Sequence, residues 1–539
     1  MREGYAPAAC SPQPGRFFRG NPLPFTDMKI ASPRHPVAVV LALSLGLTWA
    51  VWFPRAQSEA FPATVGEQVD VALAALVPSG SRRPMILAPG DVLRAQRDTV
   101  TSPVTVCSEI WFTAVAVTWV QPGRAEIVTS IRVSEDGNTF SSREQLSSEP
   151  EHQPDRGTDE YVAGQKGTPL LWTGGSKCAR FSMKVPAGTD VSDVRVVFVN
   201  SSGSADGPGT AQPSPLQPDS ASAMTRTPQI ITRDAWGAPR EPECGPYYAD
   251  GVKMAFVHHT DGANRYPKSA SDDILRGILW YHVRGLHWCD IAYNFLIDRY
   301  GRAFEGRAGG MEEPVISGAT QGVNTGSVSV ALMGSYTHTS PTKQAMSALK
   351  RLLAWRLDVA HVPPNVKTTM TSLGGDNTWL KKGQSTRLHT ISGHRDTGYT
   401  DCPGNRLYRK LTRIRRAAAG MGLPKIYYPT VTKQLDSLNE PTWRFVARGS
   451  TSLNWKIDIT DQTGALVRTF TRNDAQRLRA LWDGRDEGDL EVPPGSYTVT
   501  ISGSRTSRLA RSAVLYVKIK APPSPSPSPS PSILPSPSP

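Results

Sequence analysis

The stretch at 201–228, SSGSADGPGTAQPSPLQPDSASAMTRTP, is the strongest constraint on how this chain can fold. It holds too few apolar residues to bury a core, so it reads as a linker, with 204–228 as the expected disordered span. A chain of 539 residues interrupted in this way is expected to form several domains. The stretch PSPSPSPSPSILPSPSP has as little to bury, and 521–539 is expected to be an extended, polyproline-like tail.

The segments between these breaks differ in period. Within 61–203, FTAVAVTWV, IVTSIRVSEDGNTF and DVRVVFVN alternate with period two, and Asp136-Gly137 marks a turn, which predicts an all-β sandwich. From 229 to 425, strand-like runs alternate with helical ones at 271–284, 343–360 and 405–419, which predicts an α/β domain. From 426 to 520 the strands return: WKIDITDQTGALVRTF puts Trp455, Ile457 and Ile459 on one face before a turn at Asp461 to Gly464. That stretch resembles the Ig-like domain of flagellar hook-capping proteins. The expected architecture is therefore multidomain, an α/β domain with a mixed central sheet flanked by helices, set between two all-β sandwich domains.

The segment 1–60 contains a basic stretch from Met28 followed by the apolar run Val37 to Phe53, the pattern of an export signal. No small-x-small cleavage site follows it, so signal peptide and membrane anchor both stay open, although about 17 residues is short for a bilayer span. Either reading puts the bulk of the chain outside the cytoplasm. Six cysteines suit that compartment, where thiols are paired or bound to metal. Cys10 precedes the export pattern, Cys107 and Cys178 share one segment, and Cys244, Cys289 and Cys402 share another, which leaves an odd thiol. The net charge of +13 favours an anionic partner such as cell wall or a lipid surface, and export argues against nucleic acid.

Two short stretches carry metal chemistry. FVHHTDG, residues 256–262, ends an apolar strand with adjacent histidines, and neighbouring side chains of a strand face opposite ways, so one at most of His258 and His259 can serve a given site. ISGHRDTGYTDCPG, residues 391–404, places His394 and Cys402 eight apart with Gly398 between them to let the chain turn. Imidazole and thiolate suit zinc, and three protein ligands would leave a fourth position open. By spacing alone, an unrelated His and Cys on a loop remains the competing reading.

Read in order, ITRDAWGA, FVHHT, WCDIAYNFLIDRYGRAFEGR, NTGSVSVALMGSY and GHRDTGYTDCPG resemble the family of peptidoglycan recognition proteins and type 2 N-acetylmuramoyl-L-alanine amidases. The resemblance implies zinc ligands His258, His394 and Cys402, with His259, His282 and His389 structural. It implies that Tyr293 orients a zinc-activated water and that Thr400 helps to hold an oxyanion where many relatives use lysine. His287, Trp288 and Arg307 fall where the family reads the stem peptide, with His287 replacing a glycine. SGATQG at 317–322 stands where Gly-His-Ala is frequent. Disulfides are expected between Cys107 and Cys178 and between Cys244 and Cys289, the alternative for the second pair being buried free thiols.

The implied function is a zinc-dependent peptidoglycan hydrolase that cuts the amide between N-acetylmuramic acid and L-alanine, secreted or anchored at the bacterial wall. Arg307 would favour diaminopimelate-type stems, whose extra carboxylate suits a guanidinium fork. A structural salt bridge is the competing reading for Arg307. Two rival functions share the fold: a non-catalytic peptidoglycan receptor, and a wall-associated adhesin whose β domains do the work.

Overall fold

The computed structural model describes residues 64–521 apart from 72, 76–84, 88–90, 148–152, 204–226 and 240. The expected export segment, all but the last two residues of the expected linker and most of the Pro/Ser-rich tail therefore lie outside the described residues. No helix among the described residues is long and apolar enough to cross a membrane.

The first β region is one connected antiparallel network, ordered 65–70, 189–200, 104–120, 171–185, 128–134 and 144–147, with short strands attached at its sides. Strand Gln165–Gly167 is one of these, pairing with Thr118–Val120. The alternation in FTAVAVTWV predicts one buried and one wet face, yet every residue from Phe112 to Trp119 is buried. Val115, Val117 and Trp119 join the region's own core. Ala114 and Ala116, with Val197 and Val199, instead pack against Trp236, Ile274, Leu275 and Ile278. The second face is dry because it lies on a helix of the next domain, and small alanines let that helix approach.

That helix, Ala270–Trp280, belongs to the α/β region. Its six-stranded sheet runs 230–231, 303–305, 295–297, 327–332, 254–259 and 391–393. All neighbours are parallel except the antiparallel pair 295–297 and 303–305, so the sheet is mixed as the alternation of elements predicts. Helices Lys343–Val359 and Leu411–Ala419 cover the opposite face, where Leu349, Leu352, Trp355 and Ile414 meet Val257 and Val330. Thr342 starts the longer helix by accepting the Ala345 N–H at 3.1 Å.

In the last region, strands 426–435, 441–460, 466–482, 495–505 and 513–519 form a further antiparallel network. Trp455, Ile457 and Ile459 share its buried face, as their spacing predicts. The turn forms where expected: Asp461 accepts the N–H groups of Thr463 and Ala465, and Gly464 takes φ +85°. The structure joins Cys107 to Cys178 and Cys244 to Cys289.

Candidate metal centre

The strand Met254–His259 is buried along its whole length, and its alternation sorts the two histidines. Ala255 and Val257 face the helices 343–359 and 411–419, whereas Met254 and Phe256 face a smaller cluster with Val323, Met370 and Leu380. His258 shares the side of Phe256. His259 takes the other side, where its Nδ1 accepts the Tyr336 N–H at 3.1 Å.

The neighbouring strand Ile391–Gly393 runs parallel to the first and delivers His394 at its end. The chain then loops back to Cys402. Ligand atoms of His258, His394 and Cys402 lie within 4.8 Å of one another, and Cys402 Sγ is 3.6 Å from His258 Nδ1. Zn–S and Zn–N bonds of ~2.3 and ~2.05 Å about a tetrahedral centre put S and N about 3.6 Å apart, so this donor set fits zinc. The three side chains are 0, 2 and 0 % exposed.

Burial also sets their protonation. It pushes the His258 imidazole well below its usual range, aided by His394 and His259, and it pushes His394 down to about 3. Both rings are neutral at ordinary pH and have a lone pair to offer.

Two further residues shape this centre: Thr320, which motif reading does not single out, and Gly398, which it does. Thr320 Oγ1 is 3.2 Å from His258 Nε2; with the proton on Nε2 donated to that hydroxyl, Nδ1 faces Cys402 and His394. Thr320 lies in SGATQG, and only its place across the sheet marks it. The chain turns at Gly398, whose N–H donates to His394 O at 3.0 Å, but without a left-handed φ; an added Cβ there would lie 2.8 Å from His394 Nε2. Glycine is needed there because the loop crosses the imidazole.

The remaining site candidates fall as follows. Tyr293 is buried with its ring centroid 5.7 Å from that of His258, and its hydroxyl reaches His259 O at 3.4 Å. Thr400 Oγ1 accepts the Cys402 N–H at 2.9 Å and so braces the cysteine loop. His282 sits apart from the cluster, its ring tilted against that of Trp288 with centroids 4.7 Å apart and accepting the Ala292 N–H, and burial pushes it down to about 3. His389 ends the strand 385–389, outside the cluster.

The expected stem-reading trio divides. Trp288 lines a cavity with Tyr293, His282 and Thr260. His287 does not: it is exposed at φ +62°, a conformation that glycine adopts without strain. Arg307 is buried, and its guanidinium is held by both oxygens of Glu160, Nη1 at 3.0 Å, and by Ile316 O at 2.9 Å. The carboxylate on that fork thus comes from this chain's own β region, 147 residues away.

Comparison with known proteins adds the family. Residues 248–405 match the model described as N-acetylmuramoyl-L-alanine amidase, and 440–507 match the FlgD Ig-like domain. Peptidoglycan recognition protein 1 of Bos taurus is 29% identical over 180 residues, covering 33% of this chain and 80% of that one. Peptidoglycan-recognition protein SC2 of Drosophila melanogaster is 28% identical over 182 residues, covering 34% and 84%. Among solved structures, wild-type Drosophila PGRP-LB aligns with 25% identity over 34% of this chain and 92% of that one, at a TM-score of 0.27. With the His/His/Cys cluster inside the matched segment, the chain carries a domain of the N-acetylmuramoyl-L-alanine amidase family, related to the peptidoglycan recognition proteins, followed by a FlgD-type Ig-like domain.

Proposed function

We propose that the domain at 229–425 is a zinc-dependent amidase that cuts the bond between N-acetylmuramic acid and L-alanine of peptidoglycan, outside the cytoplasm. The observation that carries the reading is the buried convergence of His258, His394 and Cys402 inside an amidase-family segment. Zinc held by these three would lower the pKa of a coordinated water to ~7 and polarise the scissile carbonyl. The chain's own residues supply the rest. His258 and His394 arrive neutral, Thr320 fixes the ring of His258, and Thr400 braces Cys402. Tyr293, beside the cluster, is the hydroxyl assigned to orienting the nucleophile. Two disulfides suit an extracytoplasmic setting. Recognition of a diaminopimelate carboxylate by Arg307 requires that Glu160 first leave it.

The test is digestion of defined peptidoglycans by the zinc-loaded chain, with mass analysis of the products. Release of stem peptides with a free L-alanine amine supports the reading. Cys402→Ala is expected to abolish hydrolysis and most zinc binding, whereas His259→Ala keeps its zinc. The names of the relatives favour one second reading, a peptidoglycan-binding module. Tight binding of wall without peptide release, in a protein whose cleft is shown to be open, would select it.

A further inference from the structure

The loop 153–164 leads into the short strand Gln165–Gly167 of the first β region, where Gln153 Nε2 donates to Gln165 O at 3.2 Å, but most of its side-chain contacts are with the amidase domain. Gln321 Nε2 donates to Gln153 Oε1 and Pro154 O at 3.1 and 3.0 Å. Asp155 Oδ1 accepts Gly322 N–H at 2.5 Å and Asn324 Nδ2 at 3.1 Å. Glu160 fills the guanidinium of Arg307. On the outer side, Tyr161 Oη donates to Asp376 at 2.7 Å and Arg156 pairs with the same carboxylate. Tyr247 Oη donates to Asp159 and the Cys289 N–H to Glu160, so the loop reaches five amidase segments, and Gln321 adjoins Thr320, the partner of His258.

On the Tyr293 side, the space beside the loop is small. The cavity lined by Gln153, Gln165 to Leu170, Trp288 and Tyr293 has a volume of about 60 Å³. Sites for organic ligands occupy roughly 300–1,000 Å³, so a muramyl peptide does not fit this cavity, which Gln153 closes on the loop side, and His258, His394 and Cys402 are themselves buried with the loop seated.

The loop and the sheet behind it are held by different forces. The sheet is fixed by apolar packing of Ala114, Ala116, Val197 and Val199 on the helix 270–280. The named loop contacts are hydrogen bonds and ion pairs, whose attraction is largely offset by desolvation, and Asp155 Oδ2 is buried with no partner. Such a loop can leave while the sheet stays docked.

We propose that 153–164 is an autoinhibitory lid: seated, it bars muramyl peptide from the metal cluster and occupies Arg307 with Glu160; withdrawn, it opens the cleft and releases the guanidinium. The proposal rests on the amidase reading for its substrate, but closure has its own readout. In the full chain with Cys10→Ser, Cys402 is the one cysteine outside a disulfide, and its rate of modification by a small thiol reagent in metal-free protein reports access to the cluster. Glu160→Gln keeps the shape and removes the charge; Arg156→Ala removes the outer ion pair to Asp376 and guards against misfolding of the first variant. Each is expected to raise Cys402 modification, and in the zinc-loaded protein kcat/KM on a soluble muramyl tripeptide, by about tenfold, as a lid shut most of the time requires. Unchanged Cys402 reactivity in both variants overturns the lid. So does higher reactivity with lower kcat/KM in an active enzyme, which would make the loop a wall of the substrate site. Raised reactivity with no hydrolysis by any variant keeps the lid and removes the amidase reading instead.

Discussion

Zinc binding should release about one proton, and this follows from where the ligands sit. A solvent-exposed imidazole with a pKa of ~6.5 is about 0.9 protonated at pH 5.5, and a thiol with a pKa of ~8.5 is fully protonated. Two exposed histidines and a cysteine would therefore surrender about 2.8 protons to the metal at that pH, falling to about 2 at pH 6.5. Here burial depresses the folded pKa of both His258 and His394, the latter to about 3, so both rings are already neutral throughout this window. The thiol of Cys402 is then the one group that must lose a proton. Affinity should rise about tenfold from pH 5.5 to 6.5, or about 1.4 kcal/mol, against roughly 300-fold for exposed rings. Competition against a chelator of known pH dependence gives the slope. Calorimetry in buffers of different ionisation enthalpy counts the protons directly. A release near three at pH 5.5 would show that the imidazoles are charged before metal arrives, and the burial argument would fail.

Two further outcomes can be checked. Thr320→Val preserves shape but leaves His258 Nε2 without its hydroxyl, so zinc affinity should fall about 10- to 100-fold while the melting temperature of the Ig-like domain stays put; an unchanged affinity would remove Thr320 from the centre. Burial raises Asp155 to about 6 in the seated lid, where Gly322 N–H, Asn324 and Arg307 oppose the rise and Glu160 adds to it. Because the seated state binds this proton more tightly than a released carboxyl at 3.8, lid closure should strengthen as pH falls from about 6 toward 4, by up to about 3 kcal/mol, and lose that contribution above pH 6. Hydrogen-exchange protection factors of 153–164 at pH 5 and 7.5 measure this, and Asp155→Asn should flatten the difference.

Local periodicity carries much of this protein in its sequence. The two-residue repeat of a strand assigns His258 and His259 to opposite faces before any coordinates are known, because neighbouring Cβ atoms leave a strand on opposite sides. The same rule gathers Trp455, Ile457 and Ile459 into one core. What depends on how one domain lies on another has no such signature. Glu160 and Arg307 are separated by 147 residues, and nothing in either neighbourhood announces the other. The second dry face of Phe112 to Trp119 reads as solvent-facing until the helix 270–280 is placed on it. Thr320 becomes a partner of His258 only when the sheet brings the 317–324 loop over the strand 254–259. Periodicity is a property of one element and its neighbours in sequence, whereas an interface is a match between two surfaces, and that match exists only once both have folded and docked.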